Sequence, residues 1–526
     1  MQSGTTLSQM TTAGVATTLS LPTGVVLSSA RTPRFAVWDR EVIMVNSPNT
    51  PLAITREGGV RQLAPSAPTS PPNIDGTGAG TLSGTYRVRV SFIVKDLFGN
   101  LVAESGLGPI SAATTISSEF LLVSNIPIST DSVPTGFLLS RRVYRTTTSG
   151  STYFPWIDVD GNTVTRVQSD MSDASLQLIA APTDLGEPPN LMLVAEWKKR
   201  LWGVGRQDID TLRYSGASAA YGWPLTNSFI VPPLGSDDRG VTALIRRRDE
   251  LGVARRNALA KITATSSTFD IRTVVEGVGV ESQDSVVVHM DVAYFLGHSF
   301  GQFGVYKWDS GGVTNISDGK VYDWLNTDTY FNQSRFQYSF GRYNPATNAY
   351  ELHLAATGAS TENRWISVDL ETGEFWGPHQ TAALTPTCAG QFQDSSDLPL
   401  VVVGGSNGFI YKLNQSTYAD DTSAIDFDVD TTFFHGNAPD IQHFWGQPSL
   451  LSRIESTPTT LTITPKVGRL DATAGTAISA DLTLGRERLR RLGVGAFAQL
   501  NLRLNTLNKG CRLFGLEIPW HEVGRR

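Results

Sequence analysis

Arg364-Trp365-Ile366-Ser367-Val368-Asp369-Leu370, then Glu371-Thr372-Gly373-Glu374, then Phe375-Trp376-Gly377, is the stretch that decides the fold. Apolar and polar residues alternate up to Leu370, a glycine-containing tetrad turns the chain, and aromatics begin the return. Period-two alternation broken by such a turn is a β-hairpin. The same device stands upstream as Val305-Tyr306-Lys307-Trp308, Asp309-Ser310-Gly311-Gly312 and Val313-Thr314-Asn315-Ile316. It stands downstream as Leu400-Val401-Val402-Val403, Gly404-Gly405-Ser406-Asn407-Gly408 and Phe409-Ile410-Tyr411-Lys412-Leu413. Hairpins recurring at roughly 40–50 residues, with aromatics beside the turns, predict the blades of a β-propeller.

Working outward, Phe35–Trp38 with Glu41–Asn46, and Pro51–Thr55 with Val60–Leu63, read as two hairpins and together as one blade. The preceding residues 1–30 are rich in Thr, Ser and Gly and are expected as an N-terminal arm. The first part of the propeller, 31–72, ends in the linker Ala64-Pro65-Ser66-Ala67-Pro68-Thr69-Ser70-Pro71-Pro72. Residues 73–187 have a different texture. Tyr86, Val88, Val90, Phe92 and Val94 alternate with Arg87, Arg89 and Ser91, leaving Ile93 as the one apolar residue on the polar face. About seven short strands here predict an inserted β-sandwich like a fibronectin type III or immunoglobulin domain. Gly186-Glu187-Pro188-Pro189 closes it, and propeller texture resumes over 188–418. Roughly five to seven blades are expected in all. Residues 419–526, with Asp426–Asp430, Leu461–Thr464, Leu500–Leu504 and Phe514–Ile518 as strands, predict a C-terminal β domain. The expected class is all-β.

The bulk numbers agree. Among 526 residues there are 49 Gly and 27 Pro, and only 17% are charged, which suits many turns and few long charged helices. The net charge of −6 excludes global basicity as a sign of nucleic-acid binding. Cys388 and Cys511 are the only cysteines, too few for a disulfide framework. Met1–Leu21 has no basic n-region or continuous apolar core, so no secretory signal is expected. No run of about 18 apolar residues predicts a membrane-spanning segment.

Chemical motifs read as structure. Gly404-Gly405-Ser406-Asn407-Gly408 matches the G-x-S-x-G nucleophile elbow, but that elbow needs a helix after the serine, and Phe409-Ile410-Tyr411 reads as a strand. Asp158-Val159-Asp160-Gly161-Asn162 begins like a calcium loop, yet Thr163 and Ser169 stand where Gly and Glu are required. Asp426, Asp428 and Asp430 share a strand face, an arrangement of a solvated surface or a weak cation site. His435 and His443 lack partners at zinc spacing. No catalytic, cofactor or metal residues are therefore assigned, and no cofactor is expected. Asp249, Glu250, Glu276 and Glu281 are the acids a propeller glycosidase would draw on, and it would need a pair about 5–10 Å apart. The 11 tryptophans would suit a carbohydrate-binding surface, although most lie beside turns where packing explains them. Lys198-Lys199-Arg200, Arg246-Arg247-Arg248, Arg255-Arg256 and Arg486–Arg491 are basic clusters in an acidic protein. Of these, Arg246, Arg247, Arg248, Arg486, Arg488 and Arg490 are the candidates for contact with DNA or a partner, against the alternative of solvated or ion-paired surface. The connection Ala217–Asp238, with Pro224, Pro232, Pro233 and Gly235, is the candidate gating loop.

The layout resembles the tail nozzle, or tail hub, proteins of short-tailed bacteriophages. The stretches that carry the resemblance are Phe35–Leu63, Gly84-Thr85-Tyr86-Arg87-Val88, Arg142-Val143-Tyr144-Arg145-Thr146, Glu196-Trp197-Lys198-Lys199-Arg200-Leu201-Trp202-Gly203 and the hairpin Trp365–Trp376. The resemblance implies a structural virion protein, not an enzyme. It implies a homohexameric ring below portal and adaptor that continues the DNA-ejection channel, retains the genome and anchors fibres or spikes. It also implies assembly in the bacterial host cytoplasm and transient, non-specific contact with double-stranded DNA. Two other functions stay open: a receptor- or carbohydrate-binding propeller of a tail fibre or adhesin, and a propeller hydrolase.

Overall fold

The computed structural model describes residues 1–526 except 12–14, 30–31, 47, 177–178, 183–184, 232–239, 266–267, 381–383, 394–398, 414–418, 421–422, 437–438, 440, 455–458, 470–472, 507–508, 510, 512 and 525–526. The described chain is 53% strand and 4% helix, which makes it all-β. It divides into two compact units. One holds Met1–Ser360, Ile366–Trp376 and Gln391–Leu400; the other holds Thr361–Trp365, Gly377–Gly390 and Val401–Arg526.

The first unit begins with β1 (Gln2–Ser3), β2 (Thr6–Met10) and β3 (Ala16–Thr18), a three-stranded sheet. Next come β4 (Arg34–Trp38), β5 (Glu41–Val45), β6 (Leu52–Thr55) and β7 (Val60–Gln62), paired in chain order as the first four-stranded meander. Alternation along these strands makes both faces apolar. Ile43, Val45 and Ala53 turn one way, and Met44, Leu52 and Val60 turn the other, onto Leu7, Leu19 and Leu27. Within residues 1–30, expected as an arm, β1, β2 and β3 thus form a sheet docked on the first meander. Full burial of each leucine contributes about 1.5–3 kcal/mol, enough to fix so polar a segment.

Seven strands follow: β8 (Asn73–Tyr86), β9 (Val88–Asp96), β10 (Leu101–Glu104), β11 (Thr114–Ser124), β12 (Phe137–Thr146), β13 (Tyr153–Val159) and β14 (Val167–Ser169). They form two sheets, ordered β10-β9-β12-β13 and β14-β11-β8, over a common core of Tyr86, Val88, Val90, Leu121, Val123, Val143 and Trp156.

Meanders then succeed one another. The second contains β15 (Leu191–Trp197), β16 (Arg200–Gly205), β17 (Thr211–Tyr214) and β18 (Ser228–Ile230). The third contains β19 (Ala243–Arg246), β20 (Glu250–Ala254), β21 (Ala258–Ala264) and β22 (Phe269–Glu276). In the fourth, β23 (Val278–Val280) and β24 (Val287–His289) both pair with β25 (Val292–Ser299), followed by β26 (Gln302–Asp309) and β27 (Gly312–Asn315). A short helix, α1 (Tyr322–Asn326), leads to the fifth: β28 (Phe340–Asn344), β29 (Ala349–Leu354), β30 (Arg364–Asp369) and β31 (Phe375–Gln380). The deciding hairpin is β30–β31, and Gly373 at φ 71 takes the left-handed position of its turn. A three-stranded sheet of β32 (Pro386–Gln393), β33 (Pro399–Gly405) and β34 (Ile410–Lys412) is the sixth.

In the first unit the meanders stack face to face. Leu191 and Leu201 of the second meet the first, while its Trp202, Val204 and Leu212 meet Leu244, Leu251 and Val253 of the third. Alternation turns Ala243 and Ile245 the opposite way, onto Phe295, Tyr306 and Trp308 of the fourth. Leu296, beside Phe295, faces Tyr350, Leu352 and Ile366 of the fifth. The second, third and fourth sheets are each buried on both faces between neighbouring meanders, which is how propeller blades pack.

Besides β34 and parts of β30 to β33, the second unit contains β35 (Ala419–Asp420), β36 (Ser423–Ala424), β37 (Phe427–Asp430), β38 (Gln442–Trp445), β39 (Ser449–Ser452), β40 (Thr460–Gly468), β41 (Ile478–Asp481), β42 (Arg486–Arg488), β43 (Gly493–Gly495), β44 (Phe497–Leu504), β45 (Leu513–Glu517) and β46 (Trp520–Gly524). Their main sheets are ordered β37-β44-β40-β41, β43-β38-β46 and β42-β39-β45. Leu450, Leu461, Ile463, Leu482, Leu500 and Leu502 form the core.

Candidate functional site

Between β23 and β24, Gln283–Ser285 forms a 3-10 turn that breaks the first strand of the fourth meander. The broken strand spends its polar groups on its neighbours. The Gln283 side-chain amide accepts from Leu244 N at 2.6 Å and donates to Leu244 O at 3.2 Å, standing in for a strand partner of β19. Thr242 Oγ1 donates to Val280 O at 2.7 Å. On the other side Ser282 Oγ donates to Ser339 O, and Tyr350 Oη donates to Ser285 O, both at 2.8 Å. Arg34, at the start of β4, places Nη2 2.9 Å from Asp284 Oδ2. The side chains of six residues therefore tie the first, third and fifth meanders to the fourth. Burial pushes the Asp284 carboxyl up, against the opposing pull of the Arg34 guanidinium. The cluster suits holding sheets together. It places no nucleophile beside a base, as acid–base or covalent catalysis would need.

A second polar cluster lies on the face of β9 that carries Ser91 and Ile93. That face, read from the sequence as polar, is fully buried at both residues. The register explains it: Arg142 and Tyr144 of β12 and Glu104 of β10 lie on the same side and close over it. Glu104 accepts from Ser91 Oγ at 2.6 Å and from Tyr144 Oη. Arg142 grips Asp158 with two bonds, Nε at 2.8 Å and Nη2 at 3.0 Å. Burial raises Glu104 and raises Tyr144. Burial also works to raise Asp158, but its bonds to Arg142 and Lys95 outweigh this and hold it low. The calcium-like start at Asp158 and Asp160 is therefore occupied by Arg142 and Lys95.

The glycosidase acids are not brought together as one set. Glu250 faces Thr263 at one end of β21, and Glu276 faces Ala258 at the other. Five residues of strand separate these positions by about 16 Å, beyond the span of a catalytic pair. Glu281 is bound by Arg256 Nε at 2.7 Å, and Asp249 sits exposed in a turn. Among the described residues no group of three or more His, Cys, Asp or Glu is placed to hold a metal.

The basic candidates divide. Arg246 and Arg248 are exposed at the end of β19. Arg247 turns inward with Ala243 and Ile245: it pairs with Glu250, bonds Asp291 O at 2.9 Å and lies 4.6 Å from the Trp308 ring centre. Period-two alternation would have separated Arg247 from its neighbours. Arg486, Arg488 and Arg490 are exposed in the second unit, with Arg486 3.1 Å from Glu517. Pro224 precedes β18 and its carbonyl accepts from Asn227 N, whereas Pro232, Pro233 and Gly235 lie outside the described residues. Asp426 and Asp428 face Arg503, and Asp430 is 4.0 Å from Lys466. His443 is buried against Trp445 and Trp520. Gly404–Gly408 links β33 to β34, with a strand where the nucleophile elbow requires a helix. Arg34, Gln283 and Asp284 carry no local sequence signal, because their partners are distant in the chain.

No helix among the described residues is long and apolar enough to cross a membrane. No family model matches the chain, and no curated protein matches it. Solved structures align at low identity. TolB from Acinetobacter baumannii is 12% identical over 76% of this chain and 82% of its own, with a TM-score of 0.23. An exo-β-1,3-galactanase from Phanerochaete chrysosporium is 10% identical over 84% and 100%, with a TM-score of 0.21. Apo AztD from Citrobacter koseri is 9% identical over 80% and 99%, with a TM-score of 0.25. At these scores the alignments carry no argument about function, and the fold rests on strand pairing.

Proposed function

We propose that this chain is a structural, non-enzymatic protein of a short-tailed phage tail: a nozzle subunit that assembles, most simply as a homohexamer, into a ring continuing the DNA-ejection channel. The observation that carries the proposal is the order of parts. One meander comes first, then a two-sheet module, then the remaining meanders, then further β-sheets. This is the layout on which the resemblance rests, with the module in the place of a fibronectin- or immunoglobulin-like sandwich. The commitment of Glu104, Arg142, Arg145 and Asp284 to internal ties supports a structural role. In this role the chain would join an adaptor above and fibres or spikes at its sides.

Electron microscopy of the protein in its native assembly tests the proposal. Sixfold rings with an axial opening of about 25–40 Å are expected, since a duplex whose grooves alone are ~6 and ~12 Å wide must pass. Monomers or trimers without an opening, binding glycans in isolation, would replace it with the receptor-binding function.

A further inference from the structure

Trp197 pairs with Arg200, which leaves Lys198 and Lys199 as a two-residue hairpin turn. Their φ angles are 51 and 54, so both are left-handed. This is the turn that Asn-Gly makes without strain, because one side chain is absent and the other tolerates positive φ. Here two lysines are held in it instead, side by side and exposed. Local folding preference and charge repulsion both argue against them, and residues that break such rules collect at functional sites.

The third meander brings more positive charge to the same end. Arg246 Nη2 lies 2.9 Å from Glu196 Oε2, and Lys198 Nζ lies 3.9 Å from Asp249 Oδ1, so the first hairpins of the second and third meanders adjoin. The Arg248 backbone N donates to Asp291 Oδ1 at 2.8 Å, which sets the first hairpin of the fourth meander beside them. Arg247 points inward, while Arg246 and Arg248 remain at the surface. Arg40 occupies the corresponding turn of the first meander. Glu196, Asp249 and Asp291 are the acids set among these cations, and Asp249 is the most exposed of them, at 83% of its side chain.

We propose that this end of the second and third meanders is a rim that docks the phosphate backbone of double-stranded DNA through Lys198, Lys199, Arg246 and Arg248. The proposal rests on the nozzle function and adds which end of the sheets faces the DNA. Flexible cations without interleaved aromatics give contact with phosphates and not with base edges, so binding is independent of sequence and falls with salt.

The experiment uses the full chain and a labelled duplex of random sequence, with affinity measured by fluorescence anisotropy between about 50 and 200 mM salt. Lys198→Asn with Lys199→Gly removes both charges and relaxes the turn, so its unfolding midpoint stays level or rises. The slope of log affinity against log salt should fall by about 2, with affinity weakened about tenfold at the lower salt. Arg246→Gln with Arg248→Gln should act in the same direction. No duplex binding by the unaltered protein, binding to heparin but not to duplex, or unchanged slope and affinity in both variants would overturn the rim. Imaging the variants separates the two proposals. Rings with unaltered DNA affinity leave the nozzle and remove the rim; weakened affinity without rings leaves the rim and removes the nozzle.

Discussion

Arg34 and Asp284 lie 250 residues apart in sequence and 2.9 Å apart in space, joining the first strand of the first meander to the break in the fourth. Because burial pushes Asp284 up, the fold favours its protonated form relative to the unfolded chain. That contribution is complete below the unfolded carboxyl range and is lost as pH rises through the folded value. At neutral pH the half-buried carboxylate depends on Arg34. Arg34→Met should therefore destabilise by about 2 kcal/mol at pH 7, less than a fully buried broken pair. The loss should shrink on acidification, while Asp284→Asn costs less at pH 7. Urea unfolding of both variants across pH checks this; an Arg34→Met penalty that grows with acid would refute it.

Arg145 has a fully buried side chain and donates to Asp173 Oδ1 at 2.6 Å, with its guanidinium 5.3 Å from the Tyr86 ring centre. Burial works to raise Asp173, but Arg145 and the Thr148 N–H hold it low. Its stabilising effect is present above the unfolded carboxyl range and is lost as pH falls through the folded value. Asp173→Ala should cost about 2–3 kcal/mol at pH 7 and progressively less in acid. The same unfolding series reads it out.

Glu104 anchors Ser91, Tyr144 and Arg142 beneath a closed surface. Glu104→Ala strands these partners and should destabilise by about 3 kcal/mol. Tyr144→Phe removes a single hydroxyl and should cost about 1 kcal/mol. Equal effects from the two substitutions would show that the carboxylate is not the centre of the cluster.

A methyl group at Gly279 would press into the backbone carbonyls of Arg255 and Arg256. Backbone cannot give way as a flexible side chain can, so Gly279→Ala should cost about 3 kcal/mol or abolish folding. Gly205→Ala meets Asn190 O at 3.6 Å, an ordinary contact, and serves as the near-neutral control. Soluble yield and thermal unfolding distinguish them.

The hairpins were legible because their signals are local. Glu371–Glu374, Asp309–Gly312 and Gly404–Gly408 each turn between alternating strands. The sheet of β1, β2 and β3 was not legible, since Leu7 and Leu19 stand among threonines and serines and acquire meaning only against Met44 and Leu52. Ser91 looked solvated for a related reason: what buries it arrives from strands more than ten residues away. The basic runs were visible, but three adjacent arginines look alike until alternation assigns one of them to Trp308. The tie at Gln283 and Asp284 had no signal, because one meander must be folded before its neighbours can be recognised.

Ala67 N donates to Glu187 Oε1 at 3.3 Å, so the chain leaves for the two-sheet module and returns from it at nearly one point. With its own core and its two ends held together, the segment between Ala67 and Glu187 meets the conditions for replacement as one unit. Exchanging it as a single cassette should leave the meanders folded.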